Sequence, residues 1–288
     1  MMSYLLSLGV VLFSVTQSAT TKLFHKGGGS QLAFNAMKAL SAFVLMLLVS
    51  LFRFDFHLPT LLFGAAYGVL LCVSMYAGYE ALRRGPMALT SMLVSFSVLV
   101  PFLWGVTVRK EELALHQYIA VALLLAALLA TNLDKLKIRG DARTSYGAWL
   151  LFVGLTFVAN GACSVLQSEH QHYFQGQYQE ELTLYAVGIC ALVYTLLLFA
   201  KEPVRKTWQT KGKWSAVLSG ASNALVGFLT VLLASFENAS VLFPIISAGT
   251  ALGVLLCGRF LFRERLKRNH YAALFLGVTA VVLFKLPV

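Results

Sequence analysis

Ten apolar runs, each close to the length that crosses a bilayer, follow one another along the chain. They occupy roughly 3–23, 31–52, 60–82, 86–108, 114–132, 146–167, 181–200, 213–236, 239–262 and 268–286, and a spanning helix needs about 20 mostly apolar residues. Such runs leave few polar side chains to coat a water-soluble globule. The 288 residues are 58% hydrophobic and only 12% charged, against about 25% charged in ordinary soluble domains. Mean hydropathy is +0.75. The runs are too long and too evenly apolar for the alternating strands of a membrane barrel. The expected fold class is therefore an all-α integral membrane protein of ten transmembrane helices, with the lipid bilayer as its first partner.

The net charge of +11 does not indicate nucleic acid. Its cations cluster in short turns between apolar spans, where insertion alone concentrates Lys and Arg. The N-terminus lacks a basic n-region and a small-residue cleavage site, so it reads as a retained first helix. Pro86 is placed to open the fourth span.

The chain also looks duplicated. Sliding it by 153 residues lays "RKEELALHQY" (109–118) over "FRERLKRNHY" (262–271), so that Lys110 meets Arg263, Glu111 meets Glu264 and Tyr118 meets Tyr271. Each stretch joins the last two spans of its half. The expected division is a first five-helix repeat over 1–133, a polar joint over 134–145 and a second five-helix repeat over 146–288. An odd-numbered repeat must enter the membrane in opposite senses in its two copies. Inverted repeats of this kind build many secondary transporters, with the substrate near the midplane.

The ten spans, the duplication, the ending "FRERLKRNHYAALFLGVTAVVLF" and the block "GYEALRRGPMALTSMLVSFSVLVPFLWGV" (78–106) resemble the drug/metabolite transporter superfamily, EamA type. The resemblance covers essentially the whole chain. It implies a secondary transporter, normally an exporter, moving a small solute by alternating access in the cytoplasmic membrane. Substrate identity does not carry over. Glu111 and Glu264 match the acidic position common in such hairpins and read as structural. The first and sixth spans hold no carboxylate. That disfavours the proton-driven export of lipophilic cations found in the related small multidrug family, which relies on a Glu in the first helix.

Lys38 is the most informative single residue. It lies eight residues into the second span, about 10 Å below the helix end at 1.5 Å rise per residue. An intramembrane charge costs about 2.5–3.5 kcal/mol on insertion scales, so it faces a cavity or a partner, or snorkels to the interface. Glu80 is a candidate partner for Lys38, as a gate or an anchor for a zwitterionic solute such as an amino acid. It can instead pair with Arg83 or Arg84 on its own helix.

Further candidates for a substrate cavity are Gln17 and Thr21 in the first span, Ser95 and Ser97 in the fourth, and Asn160, Ser164 and Gln167 in the sixth. Asn223 in the eighth and Ser247 and Thr250 in the ninth complete the polar set, and Tyr76 and Tyr79 can supply aromatic walls. A site needs a few placed polar groups among apolar walls. The same residue types also join helices through hydrogen bonds. Gly64-xxx-Gly68 and Gly249-xxx-Gly253 read as close-packing faces.

Other signals are weak. Cys72, Cys163, Cys190 and Cys257 all fall in apolar runs without CxxC spacing and read as packing residues. "EHQHYF" (169–174) offers Glu169, His170 and His172, three neighbours without a fourth fixed group, and reads as a solvated loop rather than a metal site. "GGGS" (27–30) lacks the Lys and helix context of a phosphate loop. No Ser/His/Asp or Cys/His constellation lies at membrane depth, so the sequence carries no enzyme signal and calls for no cofactor or metal. A coupling ion remains open, as does oligomeric state. The rival reading is a membrane scaffold or sensor that keeps the transporter fold without transporting.

Orientation sets two arguments against each other. Seventeen cations fall in the hairpins after odd-numbered spans and at the joint, against four on the opposite side. The positive-inside rule then puts both termini outside the cytoplasm, whereas the resemblance implies both inside. The charge count predicts that a phosphatase fused to the C-terminus, active only outside the cytoplasm, will be active. An inactive fusion would favour the reverse orientation.

Overall fold

The apolar runs form helices because a bilayer offers no water to backbone N–H and C=O groups, and a helix satisfies them within one segment. The computed structural model describes residues 2–26, 30–51, 53–85, 87–132, 146–201, 212–261, 263 and 268–284. The polar joint 134–145, Pro86, Glu264 and most of the charged hairpin 262–267 lie outside the described residues.

The helices are α1 (Met2–Lys26), α2 (Gln31–Ser50), α3 (Leu58–Arg84), α4 (Met87–Ser95), α5 (Leu99–Thr107), α6 (Leu115–Asn132), α7 (Tyr146–Tyr173), α8 (Gln179–Lys201), α9 (Lys213–Ala234), α10 (Ala239–Phe260) and α11 (Arg268–Phe284). A 3-10 turn, Phe96–Val98, joins α4 to α5. These two short helices make one apolar stretch, Leu89–Thr107. The break has a cause in the sequence: Pro101 has no N–H to give the carbonyl of Ser97, four residues back, and its ring crowds that carbonyl.

Among the described residues, eight helices are long and apolar enough to cross a membrane, and the shorter apolar helices Leu115–Thr131 and Arg268–Phe284 stand where the fifth and tenth spans were expected. Large apolar side chains project outward, including Phe260 (78% exposed), Phe275 (72%) and Phe199 (65%). In water these would be liabilities. In a multi-pass membrane protein they meet lipid.

The helices form two compact units, and each draws on both halves of the sequence. One comprises Met1–Cys72 and Leu166–Phe236, the other Val73–Val165 and Glu237–Val288. The chain changes unit inside α3, inside α7 and between α9 and α10.

In the first unit, α1 packs on α9, and α2 packs on both α8 and α9. Its core includes Ala42, Met46, Leu184, Val187 and Ala224. Small residues set the spacing, as membrane helices require. A Cβ on Gly64 would stand 2.6 Å from Cβ of Tyr185, and one on Gly68 would stand 2.8 Å from the Ala186 carbonyl oxygen. The expected close-packing face on α3 is thus real, and α8 is what it meets. Gly220 of α9 likewise lies against Ser41 and the Lys38 carbonyl of α2. There the Ser41 hydroxyl donates to the Val217 carbonyl at 3.0 Å.

In the second unit, α6 packs on α11, and α10 on α5 and α11. Phe102, Ala120, Val121, Val241, Ile245 and Phe284 form one core cluster. Trp149 packs on Ala81 and Val153, and its indole N–H donates to Thr90 Oγ1 at 2.8 Å.

Glu111 gives this unit its main polar joint. The backbone at Lys110 takes a left-handed turn (φ 53°), and the Glu111 N–H donates to the Gly105 carbonyl. Its carboxylate then accepts the N–H groups of Ala239 (3.2 Å) and Ser240 (3.0 Å) and the Ser240 hydroxyl. Arg109 lies 3.8 Å away. The first N–H groups of a helix have no partner within it, and an anion there is favoured by the helix dipole. Gly105 permits the approach, because a Cβ there would stand 2.5 Å from the Glu111 carboxylate. Glu111→Ala should lower unfolding stability in detergent by about 2–3 kcal/mol, since three donors, two N–H groups and the Ser240 hydroxyl, lose a charged acceptor. Glu111→Gln should lose less. A chemical-denaturation series on purified protein measures both.

Candidate functional site

Hydroxyls inside a membrane helix have a cheap local partner in the carbonyl four residues back. Several candidates take it. Thr21 donates to the Gln17 carbonyl at 2.7 Å, and Ser95 to the Ser91 carbonyl at 2.8 Å. Ser164 leans on the Asn160 carbonyl at 3.4 Å. Ser97 lies within the 3-10 turn that Pro101 imposes.

The amides find partners on other helices. In the first unit, Gln17 Nε2 donates to Asn223 Oδ1 at 2.9 Å, tying α1 to α9 by two residues that the sequence singled out separately. Thr21 stands 3.5 Å from Ser219, one turn along the same seam. Gln167, buried, donates to the Tyr67 hydroxyl, which lies 3.9 Å from where a Cβ on Gly227 would sit. In the second unit, Asn160 accepts a short bond from Ser74, a residue the sequence reading passed over.

Glu80 is 95% shielded from solvent, and Arg83 (2.8 Å) and Arg84 (2.9 Å) both reach its Oε2. Its charge is thus held on its own helix, the local alternative. Arg84 also lies over the Phe152 ring at 4.7 Å. Tyr76 (51% exposed) and Tyr79 (38%) remain on the surface of α3, with Tyr76 edge-on to Phe152.

Two candidates keep uncommitted polar groups. Lys38, half-buried in the interior of α2, has an ammonium with no ion pair or hydrogen bond among the described residues. Thr250 Oγ1 is buried without a hydrogen-bond partner among the described residues. Ser247 sits half-buried on the same helix.

The stretch 168–173 corrects an expectation. It is the last part of α7, not a solvated loop. His170 and Gln171 are 0% and 1% exposed. Thr60 Oγ1 is 2.9 Å from His57 Nδ1 and 3.0 Å from His170 Nε2, and Gln171 Nε2 is 2.8 Å from His170 Nδ1. Tyr178 stacks flat on His57 at 4.2 Å, and Phe174 meets both rings. The loop reading failed because the partners, His57 and Thr60, lie more than a hundred residues upstream. His172, by contrast, is exposed. Among the described residues, no group of three or more His, Cys, Asp or Glu side chains is placed to hold a metal.

The α1–α9 seam yields a measurable energy. In a double-mutant cycle of Gln17→Leu and Asn223→Leu, the coupling should fall at about 0.6–1.7 kcal/mol, the range of interhelical hydrogen bonds in membranes. Unfolding of the four proteins in mixed micelles reads it.

Comparison with known proteins adds a fold. No family model matches the chain, and no curated protein matches it. Among solved structures 29 chains match. One, a crystal structure described only as a protein, superposes with a TM-score of 0.80 at 17% identity, covering 98% of this chain and 96% of its own. At that identity the likeness speaks to fold, and it spans the whole set of helices.

Proposed function

We propose that this chain is a secondary transporter of the drug/metabolite transporter superfamily, EamA type, built as two inverted five-helix repeats in the cytoplasmic membrane. On this reading it exports a small polar or zwitterionic metabolite, such as an amino acid, by alternating access at a midplane site. The observation that carries the proposal is Lys38. A cation held in the interior of a membrane helix is costly, and among the described residues no carboxylate forms an ion pair with it. A substrate carboxylate supplies the missing charge, and an ammonium–carboxylate hydrogen bond is among the stronger polar contacts a protein makes.

The duplication has support of its own. Lys110 and Arg263, the residues overlaid by the 153-residue shift, both take the left-handed backbone at φ 53°. Non-glycine residues rarely adopt it, so its recurrence at matched positions fits two copies of one hairpin.

Metabolite profiling of cells with and without the protein names the exported solute, and efflux of a labelled amino-acid mixture from loaded proteoliposomes quantifies transport. Lys38→Met should cut transport by about tenfold or more, the equivalent of one charged hydrogen bond. Glu80→Gln should weaken it through the released Arg83 and Arg84. Full activity in both variants would sink the proposal that these residues serve the substrate, and a wild-type protein that moves no solute would favour the scaffold reading.

A further inference from the structure

Two thiols that are 118 residues apart in sequence meet in the first unit. Cys72 Sγ lies 3.4 Å from Cys190 Sγ, and neither cysteine is in a disulfide. The contact is fixed by three successive turns of α8. One turn before the thiols, Gly68 admits the Ala186 backbone, since a Cβ there would stand 2.8 Å from the Ala186 carbonyl oxygen. At the thiols, Cys190 Sγ also approaches the Gly68 carbonyl at 3.5 Å. One turn after, the Tyr194 hydroxyl donates to the Cys72 carbonyl at 3.1 Å. Ala39, Ala191 and Leu71 pack around the pair. The two helices are therefore close and in register where the sulfurs meet, which is what a disulfide requires of its backbones.

We infer that Cys72 and Cys190 form an oxidation site that converts to a disulfide joining α3 to α8. The oxidant class is a small neutral peroxide, which enters an apolar layer that charged oxidants do not. Cys72 is the more exposed thiol, Cys190 being 4% exposed, so Cys72 meets the peroxide first. Its sulfur attacks one peroxide oxygen, the O–O bond breaks, and a sulfenic acid and water form. Cys190 sulfur then attacks the sulfenic sulfur, the S–O bond breaks and a second water leaves. The two thiols lose two electrons and two protons, and one peroxide becomes two waters. Closing the bond shortens the sulfur separation to about 2 Å, a displacement that side-chain rotation supplies. The staple would lie at Cys72, the last residue of α3 before the chain passes into the second unit.

The experiment uses the full chain in membranes. Cells or vesicles are exposed to hydrogen peroxide, remaining thiols are blocked with an alkylating reagent, and peptides are mapped by mass spectrometry with and without prior reduction. The expected result is a reducible cross-link between the peptides holding Cys72 and Cys190, formed in wild type and in Cys163→Ser and Cys257→Ser, and lost in Cys72→Ser and in Cys190→Ser. Should a serine variant fail to fold, as judged by its elution profile in detergent, the wild-type map decides alone. Cross-links involving Cys163 or Cys257 instead, oxidation that stops at sulfinic acid on one residue, or four alkylated thiols at a dose that oxidises methionine would each overturn the inference.

Discussion

A bilayer gives nothing back to a polar backbone, and most of this structure follows from that. Within the spans, each helix satisfies its own N–H and C=O groups, and its hydroxyls join in. Thr16, Thr20, Thr131, Thr156, Thr183 and Thr279 all donate to a carbonyl four residues back. Where a helix begins, the free donors need an outside acceptor. Ser30 supplies it for α2 through the Ala33 N–H, and Glu111 supplies it for α10. The buried Glu181 does the same for the strap before α3, accepting the Asp55 N–H at 3.1 Å. The carboxylates that the structure positions most firmly are thus structural ones.

Lipid also removes the ordinary reason for helices to associate, because lipid tails are as apolar as a leucine side chain. Close backbone contact replaces it. Gly64 and Gly68 on α3, Gly220 on α9 and Gly161 on α7 each sit where a Cβ would collide with a neighbouring helix. Few amides then suffice to fix pairing: Gln17 with Asn223, Gln167 with Tyr67, and Asn160 with Ser74.

This accounting narrows the functional question. Polar residues inside an apolar helix invite a substrate reading, yet most of them here are used by the fold. Thr21 and Ser95 serve their own helices, Gln17, Asn223 and Gln167 serve neighbours, and Glu80 serves two arginines. Among the described residues, the Lys38 ammonium and the Thr250 hydroxyl are left with unspent polar groups, and the proposed transport reading rests on Lys38. The hydrogen-bonded group of His57, Thr60, His170 and Gln171, with Thr60, His170 and Gln171 buried, is a polar feature that the sequence did not reveal.

The all-helical class and the approximate ends of the apolar runs were determined by the sequence alone, because membrane insertion depends on hydropathy within a window of about 20 residues and that quantity is local. The close-packing glycines of α3 were legible too, from their four-residue spacing, whereas the break at Phe96–Val98 was not, since 86–108 reads as one unbroken span. Only the tertiary structure decided which helices share a unit, that each unit mixes both halves of the chain, that His170 is buried on a helix rather than solvated in a loop, and that Cys72 faces Cys190. Each of those facts depends on a partner that is distant in sequence, and a hydropathy window holds no information about what a helix will meet once it has packed.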